Sequence, residues 1–361
     1  MSEDKLKAVR DRIDALDEQI QALINERAKC AQEVAALKNG GDSATVTFYR
    51  PEREAEILRK ILARNQGPLS GEEMARLFRE IMSACLALEQ PLRIAYLGPE
   101  GTFTQAAALK HFGHSVQTDS HFSIDEVFRE VEAGASQYGV VPVENSTEGV
   151  ITHTLDMFLN SPLKITGEVQ LRIHHNLLST LEALSAVRRV YSHQQSLAQC
   201  RGWLDWQLAG VERIAVSSNA EAARLAAQDK EAAAIASRAA ADIYGLRVLV
   251  ANVEDEPDNT TRFIVIGREQ VPPSGKDKTS LLLSATNKPG ALHSLLAPLA
   301  QHGISMTRIE SRPSRRGVWE YVFFVDIEGH AADPKVAKAL DELRAEAAML
   351  KVLGSYPRAI L

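Results

Sequence analysis

Asp258-Asn259-Thr260-Thr261-Arg262-Phe263 runs straight into Phe263-Ile264-Val265-Ile266-Gly267, so hydroxyls and a cation stand at the mouth of an apolar run of strand length. Such groups are costly to bury unless they are hydrogen-bonded or face an anion. Two readings are open. One is an Asn-led turn whose threonine hydroxyls bond back to the backbone. The other is one edge of a site for an anionic ligand. Context favours the second, because earlier strand-like runs in the same region end in polar clusters of the same kind. Arg93–Leu97 leads to Gly98-Pro99-Glu100-Gly101-Thr102-Phe103-Thr104, and Tyr138–Val143 to Glu144-Asn145-Ser146-Thr147. Val187–Tyr191 leads to Ser192-His193-Gln194-Gln195-Ser196.

With Ala232–Ala236 and Phe263–Ile266, these runs alternate from Leu92 onward with alanine-rich helical stretches, the pattern of βα units and a mostly parallel sheet. Ligands of such sheets sit at the carboxyl ends of the strands. Each polar cluster leads into a helix, whose free N–H groups favour an anion. Ser217-Ser218-Asn219-Ala220 reads as a helix cap. The adjacent His174 and His175 point to opposite faces in strand geometry, which favours structural roles over a metal site.

Upstream the period differs. Leu6, Val9, Ile13, Leu16, Ile20, Leu23, Arg27, Cys30, Val34 and Leu37 recur at alternating steps of three and four, a heptad seam over residues 4–38. A helix of that length spans roughly 50 Å, too long for one small domain to cover, so a second copy of the chain is the simplest partner. Asn39-Gly40-Gly41-Asp42 ends it, Pro51 suits the first turn of a second helix, and Ser70 with Glu73 has capping-box spacing for a third that ends before Pro91. Residues 1–91 therefore read as an all-α unit and 92–270 as an α/β unit. Residues 271–278, Val-Pro-Pro-Ser-Gly-Lys-Asp-Lys, have linker composition. Residues 279–361 read as strand, helix, strand, strand, helix, strand, a ferredoxin-like α+β module.

At 361 residues the chain exceeds one ordinary core, and its 45% hydrophobic and 24% charged content is that of a globular protein. A net charge of −6 argues against nucleic acid as the main partner. Three scattered cysteines without metal spacing, a charged N-terminus and no long apolar run point to the cytoplasm, with no membrane and no metal. No GxGxxG or phosphate-loop pattern calls for a cofactor.

Arg27 occupies a seam position that calls for an aliphatic side chain. Its site should hold a carboxylate, either Glu33 or Glu54 or one belonging to a ligand. Lys38, three turns on, shares roughly its face, and Arg10, Arg53 and Glu89 fall near the seams of their helices. The helix AVRDRIDALDEQIQALINERAKCAQEVAALK, followed by YRPEREAEIL, resembles the all-helical chorismate mutases across residues 4–90. Those are intertwined dimers. The resemblance implies that Arg27, Lys38, Arg53 and a partner chain's Arg10 hold the carboxylates and ether oxygen of chorismate, that Glu54 binds the ring hydroxyl, and that Glu89 faces the ether oxygen opposite Lys38. Glu89 stands where relatives carry Gln, Cys85 lies near a position of Ser, and Arg50 replaces an acidic residue. A carboxyl can donate to the ether oxygen only when protonated.

The Gly98–Gln105 cluster, Val141-Pro142-Val143-Glu144-Asn145-Ser146, Tyr191-Ser192-His193 and Thr260-Thr261-Arg262-Phe263 together resemble prephenate dehydratases, over residues 93–268. That family has a two-lobed fold like periplasmic binding proteins, with the active site in the cleft. The resemblance implies Thr261 at the centre, with Asn145, Ser146, Gln195 and Arg262 around prephenate and Thr260 beside them. Glu144 and His193 are open as proton sources, as a helix cap partner and as a structural histidine respectively. Asn287-Lys288-Pro289-Gly290-Ala291-Leu292-His293 and Glu310-Ser311-Arg312-Pro313 resemble the two signatures of the ACT domain, which implies that L-phenylalanine binds there between subunits as an inhibitor. The three resemblances imply an enzyme that turns chorismate into prephenate and prephenate into phenylpyruvate, without a cofactor, as a homodimer or larger homo-oligomer. Two alternatives are a non-catalytic amino-acid sensor and a dehydratase with an inactive mutase domain.

Overall fold

A computed structural model describes residues 2–39, 49–285, 289–313 and 321–360. The chain divides into two compact units, one of residues 1–50, 57–92 and 112–117, the other of residues 51–56, 93–111 and 118–361. In the first, α1 (Ser2–Asn39) packs on α3 (Gly71–Glu89). Ser70 caps α3 by accepting from Glu73 N at 3.1 Å, as the spacing implies, and Pro51 opens α2 (Pro51–Arg64). Leu58, Ile61 and Ala75 are buried, but the α1 seam is not: Val9 is 56% exposed, Leu23 64% and Leu37 80%. Among the described residues, therefore, the stripe that makes α1 a helix stays about half exposed.

The second unit contains two α/β lobes and a smaller module. In the first lobe β1 (Arg93–Leu97), α4 (Phe103–Phe112), β2 (Gln117–His121), α5 (Ile124–Glu132), β3 (Tyr138–Asn145), β4 (Gly149–Val150), α6 (Thr152–Met157) and β5 (Lys164–Arg172) follow in order. The second lobe comprises β6 (Asn176–Ser179), β7 (Arg189–His193), α7 (Gln194–Gln199), α8 (Arg201–Gln207), β8 (Glu212–Val216), α9 (Asn219–Ala226), β9 (Ala232–Ala236), α10 (Arg238–Tyr244) and β10 (Arg247–Val250). The chain then returns to the first lobe as β11 (Thr260–Gly267). The strands divide between two sheets, one in each lobe as the two-lobed expectation requires, ordered β2-β1-β3-β11-β5 and β10-β6-β9-β7-β8; both are mixed rather than mostly parallel. The last run, Phe263–Ile266, is antiparallel to both neighbours. That reversal matters, because it sets the first residues of β11 beside the carboxyl end of β3, pairing Thr261 with Asn145.

The two crossings between lobes run side by side. Ile173 N donates to Asn259 O and Val253 N to His175 O, each at 2.8 Å. The Glu254 carboxylate accepts from His175 N and contacts His174 Nδ1, both at 2.9 Å. Both histidines are thereby tied to the crossing strands.

The module is β12 (Asp277–Ser284), α11 (Ala291–Gln301), β13 (Met306–Pro313), β14 (Tyr321–Glu328), α12 (Pro334–Glu346) and β15 (Met349–Pro357), with sheet order β13-β14-β12-β15. One face packs Leu281, Leu283 and Val325 under its two helices through Leu295, Leu299 and Leu340. The other face lays Leu282, Phe324, Leu353 and Tyr356 into the core of the first lobe with Val141, Phe158 and Ile264. Both faces of this sheet are thus apolar where Leu281, Leu282 and Leu283 alternate along β12. The stretch with linker composition is an ordered turn: Val271 is buried, Ser274 N and Gly275 N both donate to Asp277, and Lys278 already belongs to β12.

β15 crosses the edge of β5 so closely that a Cβ on Gly354 would collide with the backbone of Ile165. Gly354→Ala is expected to destabilise the chain by about 1–3 kcal/mol, as overpacking does. Denaturant unfolding monitored in the second unit checks this, and an unchanged midpoint would show that the two edges can part freely.

Candidate functional site

Thr261 is 8% exposed, and its hydroxyl oxygen accepts from Asn145 Nδ2 at 2.8 Å. The second proton of that amide goes to Asn259 Oδ1 at 2.7 Å, while Asn145 Oδ1 accepts from Thr147 N and Glu148 N, both at 3.0 Å. Every donor and acceptor site of the Asn145 amide is accounted for. The amide thereby fixes the positions of Thr261, Asn259 and the turn at Thr147. Because Thr261 Oγ1 is an acceptor toward Asn145, its own proton is left to donate outward. Ser146 Oγ similarly accepts from Thr260 N at 2.9 Å and retains a proton, whereas Thr260 Oγ1 donates to Asp258 O.

From Asn259 the network crosses to the second lobe. Asn259 Nδ2 donates to Gln199 Oε1 at 3.1 Å, and His175 Nε2 lies 2.8 Å from the same oxygen. Gln199 Nε2 and Gln195 Nε2 both donate to the Glu148 carboxylate, at 3.0 and 2.8 Å. Gln195 and Gln199 stand one helical turn apart on α7, and so share a face. Asn219 steadies the end of β7 by accepting from Ser192 Oγ and His193 N and donating to Ser196 Oγ at 2.8 Å. Ser218 caps α9. The ring of His175 meets Phe103 edge to face at 5.7 Å, which ties the Gly98–Gln105 cluster to the same centre. Ser237 Oγ also bridges the lobes, donating to Gly101 O at 2.8 Å.

Asn145, Ser146, Thr260, Thr261 and Gln195 thus come together as expected, but two of the residues singled out do not join them. Arg262 is the next residue along β11 and faces the other way. Its guanidinium donates to Glu168 Oε2 at 2.9 Å, Asp326 Oδ2 at 2.6 Å and Tyr356 OH at 2.9 Å. Glu144, one before Asn145, also faces the reverse side and pairs with Arg308 at 3.0 Å. The two-residue alternation of a strand explains both corrections. His193 is the N-cap of α7 and accepts from Gln195 N at 3.4 Å. The residues the sequence reading missed are His175, Gln199, Asn259 and Glu148. Helical spacing from Gln195 could have found Gln199, but nothing local marks His175, whose role depends on the crossing strands.

In the small module Gly290 takes a left-handed φ of 77° ahead of α11, with Ala291 half-buried and Leu292 and His293 exposed. Asn287 and Lys288 lie outside the described residues. On β13 the burial alternates, so Ser311 and Pro313 are exposed while Glu310 and Arg312 turn inward. Arg312 Nη2 donates to both oxygens of Asp156 at 3.0 Å, which removes its charge from the exposed face where an amino-acid ligand was expected.

In the first unit Arg10 is exposed and Arg27 half-buried on α1, Cys85 is buried in α3, and Glu89 is half-buried at its last position. Lys38 belongs to α1, but its side chain lies outside the described residues. Arg53 and Glu54 sit in the first turn of α2, where Arg53 donates to Glu56 Oε2 at 2.7 Å. Among the described residues no helix is long and apolar enough to cross a membrane.

An all-helical unit, a two-lobed α/β domain with a polar network across its cleft and a ferredoxin-like module define a multidomain protein of three parts. Family models match each part: chorismate mutase type II over residues 9–90, prephenate dehydratase over 94–271 and ACT domain over 279–345. The chain is 60% identical over its whole length to the bifunctional chorismate mutase/prephenate dehydratase of Stutzerimonas stutzeri, covering all of that protein. It is 58% identical to that of Pseudomonas aeruginosa, with 99% of each chain covered. A solved prephenate dehydratase from Arthrobacter aurescens in complex with L-Phe superposes with a TM-score of 0.69 at 35% identity, covering 74% of this chain and 90% of that one. The chain belongs to the bifunctional chorismate mutase/prephenate dehydratase family.

Burial, partly offset by the Gln199 bond, lowers the pKa of His175 below its ordinary 6.5. A depressed histidine contributes stability that is complete above pH 6.5 and is lost as pH falls toward the folded-state value. Melting temperature should therefore drop on acidification below pH 6.5, and less steeply in His175→Gln. Parallel curves for the two proteins would remove His175 as the cause.

Proposed function

We propose that the two reactions of this family run at the two candidate sites, with Thr261 and Asn145 at the heart of the second. In the first unit chorismate rearranges to prephenate. A Claisen rearrangement needs no nucleophile, only a compact substrate conformer and positive potential at the breaking ether oxygen. Arg27, Lys38, Arg53 and the partner's Arg10 supply that potential, Glu54 takes the ring hydroxyl, and Glu89 with Cys85 completes the wall. The half-exposed seam of α1 supports a homodimer in which a second copy covers it.

In the cleft prephenate loses carbon dioxide and its ring hydroxyl, and aromatisation to phenylpyruvate drives the step. With one proton taken up, the hydroxyl leaves as water. The observation that carries this reading is the direction of the Asn145–Thr261 hydrogen bond, which leaves the Thr261 proton to donate to the departing oxygen. A threonine hydroxyl is too weak an acid to give its proton up, so Thr261 acts as a positioned donor. Ser146, Gln195 and His193 line the same mouth. L-Phenylalanine inhibits from the ACT module, where the backbone at Gly290 and the exposed Ser311 form the ligand edge between two copies. The free thiols of Cys30, Cys85 and Cys200 fit a cytoplasmic enzyme.

Thr261→Val should lose dehydratase turnover by at least about 100-fold, on the scale of a lost transition-state donor, while its mutase turnover is unchanged. Incubating the variant with chorismate, with and without acid treatment before detecting phenylpyruvate, separates the two steps. Dehydratase rates like those of the wild type would overturn the assignment. Mutase turnover should fall as pH rises through ionisation of Glu89, and Glu89→Gln should flatten that profile. An unaltered profile in the Gln variant would refute the role of Glu89.

A further inference from the structure

Thr261 pairs with Asn145 across β11 and β3, and Arg262 pairs with Glu144 one step along the same register. Front and back of one strand pair therefore carry different chemistry. On the back, Arg262 is held by Glu168 of β5, Asp326 of β14 and Tyr356 of β15. Lys278 of β12 reaches Glu168 with both bonds under 3 Å. Tyr356 and Ser280 are 2.8 Å apart, and Ser280 donates in turn to Asp326. Two cations and two carboxylates thus close a neutral cluster in which Glu168 is 4% exposed and Asp326 5%. Burial raises the Asp326 carboxyl, but Arg262, Ser280 and Arg308 outweigh it and hold it below the ordinary value.

Glu144, meanwhile, is engaged by Arg308 of β13, whose Nε lies 3.0 Å away without the alignment of a hydrogen bond. All four strands of the ACT sheet hence contribute a side chain to this grip. A buried ionic cluster contributes little net stability relative to apolar side chains of the same volume. What it fixes is position, because each bond constrains direction as well as distance.

We propose that the ACT sheet is the back wall of the dehydratase centre, and that Asp326, Tyr356 and Arg308 are positioning residues which hold Thr261 and Asn145 in place through Arg262 and Glu144. The inference rests on Thr261 being the reacting-side donor. It also gives Arg262 a different role from a ligand of substrate: none of its three donor nitrogens faces the cleft. A shift of the strand pair by a fraction of an ångström costs turnover without weakening prephenate binding to the same degree.

The test uses the full chain. Asp326→Asn keeps the shape and removes one charge, and Tyr356→Phe keeps all four charges and removes one hydroxyl. Steady-state kinetics on prephenate should show kcat lower by roughly 10- to 100-fold in Asp326→Asn, less in Tyr356→Phe, with KM changed far less in both. Mutase turnover, measured on the same preparations, should stay at the wild-type level. If Asp326→Asn does not fold, Tyr356→Phe decides alone. Unchanged kcat in a folded variant overturns the proposal, as does a raised KM with kcat intact, which would put Arg262 on the substrate. Thr261→Val is run beside them. If it is inactive while Asp326→Asn keeps its kcat, only the back-wall role fails; if it is active, the site assignment fails and the back-wall role with it.

Discussion

The pleat of β11 and β3 is the constraint on which the second unit depends. Successive side chains of a strand leave on opposite faces, so Thr261 and Asn145 can serve the cleft only if Arg262 and Glu144 turn to the other side, where Arg262 is largely buried and Glu144 half-buried. A guanidinium and a carboxylate cannot be left there unpaired. The ACT sheet supplies what they lack: Asp326, Tyr356 and Arg308 on the ionic side, and Leu282, Phe324 and Leu353 on the apolar side. One register thereby links the chemistry of the cleft to the placement of a neighbouring fold.

The second lobe answers to the first through amides rather than charges. Asn145, Asn259 and Gln199 form a relay in which each group is both donor and acceptor, ending at the buried neutral ring of His175 and the carboxylate of Glu148. Neutral amides tolerate burial when every atom is satisfied, and they hold geometry without adding charge to the cleft between the lobes. Glu148 is the exception. Its negative charge reaches across to Gln195 and Gln199 and links the lobes.

Much of this is legible in the sequence. Heptad spacing, the Ser70–Glu73 cap and the βαββαβ order of the last module are local patterns, and local patterns survive folding. Thr261, Asn145 and Ser146 were visible as polar residues at strand ends. What could not be read was direction. An apolar run such as Phe263–Ile266 does not state whether it pairs parallel or antiparallel, and the antiparallel answer decides that Arg262 turns away from the cleft. Arg262 and Arg312 looked like ligands for anions because their partners, Glu168, Asp326 and Asp156, lie from 64 to 156 positions away in the chain. Lys278 misled in the same way, since Pro, Ser and Gly around it have the composition of a linker while its ammonium is anchored on Glu168.

The helical unit shows the complementary limit. Leu6, Val9, Ile13 and Leu16 define a seam by spacing alone, yet each remains about half exposed in the single chain. Burying a leucine or valine side chain stabilises by about 1.5–3 kcal/mol. A row of these on one helix is therefore a large unsatisfied term, comparable with the whole stability of an ordinary domain. The same stripe carries Arg27 in place of an aliphatic residue. A second copy of α1 laid along it would bury the leucines and bring a guanidinium into a dry interior, where only an anionic ligand or a protein carboxylate can neutralise it. Under the dimer proposed above, covering the seam and binding the substrate become one requirement, set by the periodicity of residues 4–38.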